Sequence, residues 1–178
     1  MGGMRRSMLL LATLAVALTA CTPTLDWREV RDDRAGLMAL LPCKPDQGSR
    51  QVPLLGRDTA MRMWGCEAGG VLYTLSVAEV AAADEVPNAL RGWRQATLAH
   101  LQAVDTPGRL YAPTGAQPQP ESQRLLGQGR QPDGRPVHFE LAWFALGRQV
   151  VLAGWYASQA PRDGGETFWD GLRLKPVP

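Results

Sequence analysis

Apolar and polar residues alternate along Thr59 to Glu67 and again along Val71 to Glu79, with Gly69 and Gly70 between the two runs. Period-two alternation marks half-buried strands, and a glycine pair favours a tight primed turn, so the segment predicts a β-hairpin. A two-residue turn there sets Cys66 beside Tyr73, Trp64 beside Leu75 and Arg62 beside Val77 on one face. Upstream, Gly36 to Leu41 is a short apolar run stopped by Pro42, read as a first strand entering the sheet. From Pro87 to Val104 the spacing changes. Leu90, Trp93, Leu98, Leu101 and Val104 form one apolar stripe of a helix, and Pro87 suits its first turn.

Beyond the helix, Thr106 to Gln123 holds four prolines and two glycines and reads as a long loop with a short strand at Leu110 to Ala112. It is the surface most open to a functional role. Arg124 to Gly129, a Pro132-Asp133-Gly134 turn, Pro136 to Leu146 and, across Gly147 and Arg148, Gln149 to Ala157 predict three adjacent antiparallel strands. Pairing across Gly147 and Arg148 puts Phe139, Leu141 and Trp143 beside Tyr156, Gly154 and Leu152. His138, Glu140, Ala142 and Phe144 then share the opposite face with Ala157, Trp155, Ala153 and Val151. Both faces are apolar in the middle, so both need cover. After Gly164 and Gly165, Phe168, Trp169 and Leu172 lie at helical spacing and can dock on the sheet.

The amino terminus has a different grammar. Arg5 and Arg6 precede an apolar run of eleven residues, Met8 to Leu18, followed by small Thr19 and Ala20, with no acidic residue among the first twenty. That is the layout of an export signal, and the run is too short for a transmembrane helix, which takes about twenty residues. The tetrapeptide Leu18, Thr19, Ala20, Cys21 resembles the lipobox of bacterial lipoproteins. The resemblance implies cleavage before Cys21, acyl chains on that cysteine, and attachment to a membrane on its periplasmic side. The alternatives are an ordinary secretory signal with Cys21 incidental, or a twin-arginine signal on the Arg5 and Arg6 pair. Thr22, where Asp would resemble an inner-membrane retention signal, points to the inner leaflet of the outer membrane. The expected organisation is a lipoprotein signal peptide over 1–20, a tether over 21–35 containing Trp27, and a single domain over 36–178.

With the signal removed, seventeen basic and seventeen acidic residues remain, so there is no basic field for nucleic acid. Lys44 and Lys175 are the two lysines beside seventeen arginines, a bias that a GC-rich genome explains more simply than anion recognition. Cys21 being taken by lipid leaves Cys43 and Cys66 as an even pair in an oxidising compartment, which reads as a disulfide. Free thiols, or a redox or metal pair, are the alternatives, but no Cys-x-x-Cys spacing supports the latter.

The order of elements resembles the PsbP/Mog1-like fold: a strand ending in Leu41, Pro42, Cys43, Lys44, Pro45, a hairpin closing on Tyr73, Thr74, Leu75, Ser76, Val77, a helix, a three-strand meander and a terminal Phe168, Trp169, Leu172 segment. The resemblance implies an α+β fold over about residues 36 to 175, with a mostly antiparallel sheet covered by helices on both sides as an α-β-α sandwich. Members of that fold often serve as assembly or binding modules, but no functional residue set carries over.

For chemistry, two histidines exclude a multi-histidine metal site, and neither metal nor cofactor is expected. His100, at the edge of the helical stripe, reads as a half-buried structural residue. His138 beside Glu140 on one strand face could form a base with its orienting carboxylate, but a sheet-surface ion pair is the favoured reading. No Gly-x-Ser-x-Gly elbow occurs, and Gly127, Gly129 and Gly134 lack the Lys-Ser or Lys-Thr of a phosphate loop. Of six tryptophans, Trp155 is the best candidate for an exposed stacking surface. The expectation is a lipid-anchored, non-catalytic binding or assembly module of the cell envelope, with a protein or other envelope component as its partner. A small envelope hydrolase using His138 and Glu140 is one alternative. The other is an apolar-ligand carrier using the cleft under the Thr106 to Gln123 loop.

Overall fold

A computed structural model describes residues 25–161 and 165–175. The expected signal peptide and Cys21 lie outside the described residues. Strands β1 (Arg28–Asp32), β2 (Leu37–Leu41), β3 (Asp46–Leu54), β4 (Arg57–Ala68) and β5 (Val71–Glu79) lead through a 3-10 turn at Ala83–Glu85 into helix α1 (Val86–His100). Then come β6 (Arg109–Leu110), β7 (Gln123–Arg130), β8 (Pro136–Leu146), β9 (Gln149–Ala157), the one-turn helix α2 (Glu166–Asp170) and β10 (Arg173–Leu174).

The hairpins form as their local chemistry dictates. Gly69 and Gly70 both take positive φ, 59° and 76°, and β4 pairs with β5 through Cys66–Tyr73, Trp64–Leu75 and Arg62–Val77. Across Gly147, β8 and β9 pair Phe139 with Tyr156, Leu141 with Gly154 and Trp143 with Leu152. The seven-stranded antiparallel sheet runs β3-β4-β5-β9-β8-β7-β6. Both of its faces are buried at the centre, as the double apolar pattern of β8 requires: Ala142 and Phe144 enter one core, Leu141 and Trp143 the other.

The cover on those faces differs from the expected α-β-α sandwich. One face is covered by α1, but the other is covered by a second antiparallel sheet, β1-β2-β10, with only the short α2 beside it. The protein is therefore mostly β, with layers in the order small sheet, large sheet, helix, and the resemblance to the PsbP/Mog1-like fold does not hold. Two segments account for the difference. Arg28 to Asp32, read as tether, is a strand whose alternate residues Val30 and Asp32 are buried. Leu37–Leu41 pairs with it and with β10 and so joins the small sheet, not the large one.

The third unexpected element is β3, a mostly exposed edge strand of polar residues paired along its length with β4. Pro53 is tolerated because an edge strand has one row of amides facing no neighbour. The β3–β4 turn uses Leu55 and Gly56 at φ 52° and 74°.

Covalent and ionic ties hold the small sheet down. Cys43, just past β2, is disulfide-bonded to Cys66 on β4, with Cα atoms 5.9 Å apart. Buried Asp32 at the end of β1 accepts a 2.6 Å hydrogen bond from Arg62 Nε on β4, and Arg62 also reaches Gln149 on β9 at 3.2 Å.

Candidate functional site

On the face toward the small sheet, Glu140 does not orient His138. Its carboxylate accepts Arg124 Nε at 2.6 Å and Nη2 at 2.9 Å, and its Oε2 also accepts the Trp169 indole N–H at 2.8 Å. Arg124 and Ala142 face one another across β7 and β8, which brings the guanidinium down the same face as Glu140 two residues along. The guanidinium carbon lies 4.1 Å from the Trp169 ring centroid and 5.7 Å from that of Tyr111. Arg124 and Glu140 are both buried, so this is a closed bidentate pair capped by aromatics, an arrangement suited to holding α2 and the loop onto the sheet. Burial pushes the Tyr111 hydroxyl up to about 12, outweighing the pull of Arg124 in the other direction. His138 is half-buried, and among the described residues no hydrogen bond or ion pair links it to Glu140. The base-and-orienter reading of His138 and Glu140 is thereby lost.

Two other expectations change on inspection of burial. Trp155 is 1% exposed, deep between the sheets, and cannot present a stacking surface. His100 is exposed, not half-buried. The glycines that superficially suggested a phosphate loop have structural reasons: a Cβ on Gly129 would stand 2.3 Å from the Leu101 carbonyl oxygen, which accepts the Arg130 amide at 2.6 Å, one on Gly127 would strike the Phe139 ring, and Gly134 takes a positive φ of 84° in its turn.

A concavity lies on the opposite face, between α1 and strands β3, β4, β5 and β9. It is a groove of about 680 Å³, within the range of small-molecule sites. Its formation follows from how α1 is seated. Leu90 and Leu98 bury against the β8 and β9 side of the sheet, together with Trp143, Val150 and Leu152. The amino-terminal end is tied to the β3–β4 turn by Glu85, which accepts a 2.6 Å hydrogen bond from Arg57 and amides from Ala81 and Ala82. The Arg57 guanidinium holds the Glu85 carboxyl below its usual value. Just past the other end the Arg130 amide on β7 binds the Leu101 carbonyl, and mid-helix Arg94 pairs with Asp105 in the loop that follows. Toward β3, β4 and β5 the helix presents Gly92 and Ala96, one turn apart, and such small residues leave the space unfilled.

The groove walls are Val52, Leu54, Met61 and Ala78 on the sheet, Leu152 and Tyr156 on β9, and Trp93 and Ala96 on the helix. The threonine hydroxyls along it are already satisfied, Thr97 donating to the Trp93 carbonyl at 2.8 Å and Thr74 to that of Gly154 at 3.4 Å. Burial raises the Tyr156 phenol to about 12. The lining contains Arg50 and His100 but no aspartate or glutamate. Within the Thr106 to Gln123 segment lies a smaller hollow of about 480 Å³, walled by residues of that segment such as Leu110, Tyr111, Pro118 and Pro120 and not, as expected, by the sheet and the loop together.

Sequence reasoning missed the groove because β3 was not recognised and because the helical stripe was read only for its apolar members. Gly92 and Ala96 at i and i+4 were a visible signal that one flank of the helix is shallow. The chain matches no known family, no curated protein and no solved structure.

Proposed function

We propose that this chain is a lipid-anchored, periplasm-facing binding module of the bacterial cell envelope, which holds an apolar envelope molecule in the groove beside α1 and catalyses no reaction itself. The observation that carries this reading is the groove: a long apolar hollow kept open by two small residues on a helix pinned at both ends. Among the alternatives, it favours the small apolar ligand over a protein partner, because the lining is recessed and not a flat patch.

The anchor is supported by the lipobox-like Leu18, Thr19, Ala20, Cys21 and by the Cys43–Cys66 disulfide, which suits an oxidising compartment. Two or three acyl chains on Cys21 would give durable attachment, since each buried methylene contributes about 0.8 kcal/mol. Thr22 in place of Asp favours the inner leaflet of the outer membrane. Six residues separate Cys21 from β1, a reach of at most about 25 Å at ~3.5 Å per residue. The domain would ride close to the bilayer with its small sheet, into which β1 leads, on the far side of the large sheet from the groove.

The test is mass spectrometry of the full-length chain extracted from envelopes. The wild-type protein is expected to carry fatty acyl mass at its amino terminus, and Cys21→Ser to lose both that mass and sedimentation with membranes. A native chain without acyl mass, or a serine variant that still sediments, refutes the anchor.

A further inference from the structure

The groove has a shape and a charge that narrow its occupant. Its floor follows β5 and β9 from Ala78, paired with Val150, past Ser76 and Thr74 to the level where Tyr156 pairs with Leu72. The six steps from Ala78 to Leu72 make this roughly 20 Å at ~3.3 Å per residue. Across the strands the lining runs from β3 to β9, about 14 Å at ~4.8 Å per strand, so the groove is longer than it is wide and admits an extended chain along β5 and β9. Arg50 stands at one rim, opposite Met61 in the β3–β4 register and so level with Ala78. Arg50 is exposed, and among the described residues it has no ion pair and no side-chain hydrogen bond. Most arginines around it are neutralised locally: Arg57 by Glu85, Arg62 by Asp32, Arg94 by Asp105 and Arg148 by Glu79. An unpaired guanidinium at the lip of a carboxylate-free apolar channel is complementary to a single anionic head on an apolar tail.

We infer that the groove binds a long-chain carboxylate, its unbranched tail lying along β5 and β9 beneath Gly92 and Ala96 and its head group paired with Arg50. The inference rests on the binding-module reading and specifies the ligand. On the anchored reading, the groove lies across the large sheet from the strand that leads to the anchor and opens on the side away from it. The occupant is accordingly a dispersed amphiphile and not a lipid still seated in the anchoring bilayer.

The experiment uses full-length chain in the envelopes of producing cells, labelled with a hexadecanoate carrying a photoactivatable diazirine on its tail, and peptide mapping of the adducts. Adducts are expected on Val52 to Met61 and Trp93 to Thr97, displaced by unlabelled hexadecanoate. Each methylene removed from the competitor should weaken it about fourfold, from ~0.8 kcal/mol per buried methylene. Arg50→Ala should weaken hexadecanoate roughly tenfold and leave hexadecanol unchanged. Gly92→Leu should abolish the adducts without unfolding the helix, because a Cβ at Gly92 meets nothing within 4 Å and the added side chain extends into the groove.

Adducts scattered over the surface and indifferent to Gly92→Leu overturn the inference. Equal competition by hexadecanol, or loss on His100→Ala with Arg50→Ala unaffected, overturns the assignment of the head group. Displacement by an apolar peptide but not by hexadecanoate makes the occupant a polypeptide and sinks the carboxylate. These outcomes are separable from failure of the anchor: groove labelling that persists in Cys21→Ser keeps the ligand whether or not the acylation mass is found.

Discussion

The two faces of the seven-stranded sheet are built on opposite principles. Toward the small sheet, the buried charged groups are spent on partners, Asp32 on Arg62 and Glu140 on Arg124 and Trp169, and the Cys43–Cys66 bond ties the layers covalently. Toward α1, the helix is fastened at its ends and its flank is left shallow, with Arg50 unpaired at the rim among the described residues. One face resists disturbance because each partner removed strands another, whereas the other tolerates filling because little there is committed. The contrast supports the proposal that binding belongs to the less finished face, while stability is concentrated on the finished one.

The sharpest way to break the contrast is Glu140→Ala. It leaves the Arg124 guanidinium buried without its bidentate partner and the Trp169 N–H without an acceptor. Stranding a buried charge costs about 3–5 kcal/mol, so the urea midpoint should fall sharply. The double variant Glu140→Leu with Arg124→Leu should recover much of that loss, because removing both partners leaves no uncompensated charge. A single variant within ~1 kcal/mol of wild type would mean that solvent or Glu166, 3.7 Å from Arg124, compensates the guanidinium and that the closed face is less closed than described.

How far the sequence foretold this contrast depends on how local each signal was. The hairpins around Gly69 and Gly147, with their registers, were legible because strand period and turn chemistry sit within twenty residues of each other. The need for cover on both faces was legible from Phe139 to Phe144. What supplied that cover was not, because the small sheet joins residues 28–41 to residues 173–174, and Arg28 to Asp32 disguises a strand behind four charged side chains. The Glu140 assignment failed for a related reason. The i, i+2 neighbour His138 was visible, but Arg124 from β7 and Trp169 from α2 arrive from other parts of the chain and take the carboxylate. The groove lay in an unrecognised polar edge strand and in two small helix residues, which carry no positive pattern.

The disulfide offers the second test. It closes a segment of 23 residues in sequence separation, for which restriction of the unfolded chain gives about 3 kcal/mol. Cys43→Ala is expected to lower stability by about that much, read as a shift in urea midpoint with the slope increased as the unfolded chain expands. Hydrogen exchange should localise the loosening to β1, β2 and β10, with the amides of α1 keeping their protection relative to global unfolding. Equal loss of protection on both faces would show that the two covers unfold as one unit.

The smallest effect belongs to the open face and has the opposite sign. Gly92 sits within α1, where glycine costs up to about 1 kcal/mol against alanine, and a Cβ there meets nothing within 4 Å. Gly92→Ala should therefore raise stability by up to ~1 kcal/mol, measured against wild type in the same urea titration. Alanine is short enough to leave much of the channel open, whereas the leucine variant closes it, so the pair separates helix propensity from groove volume. If alanine destabilises, the space beneath Gly92 is already taken up by packing in the folded chain. The glycine would then be a structural necessity of the α1 seat and not the gap that keeps the groove open.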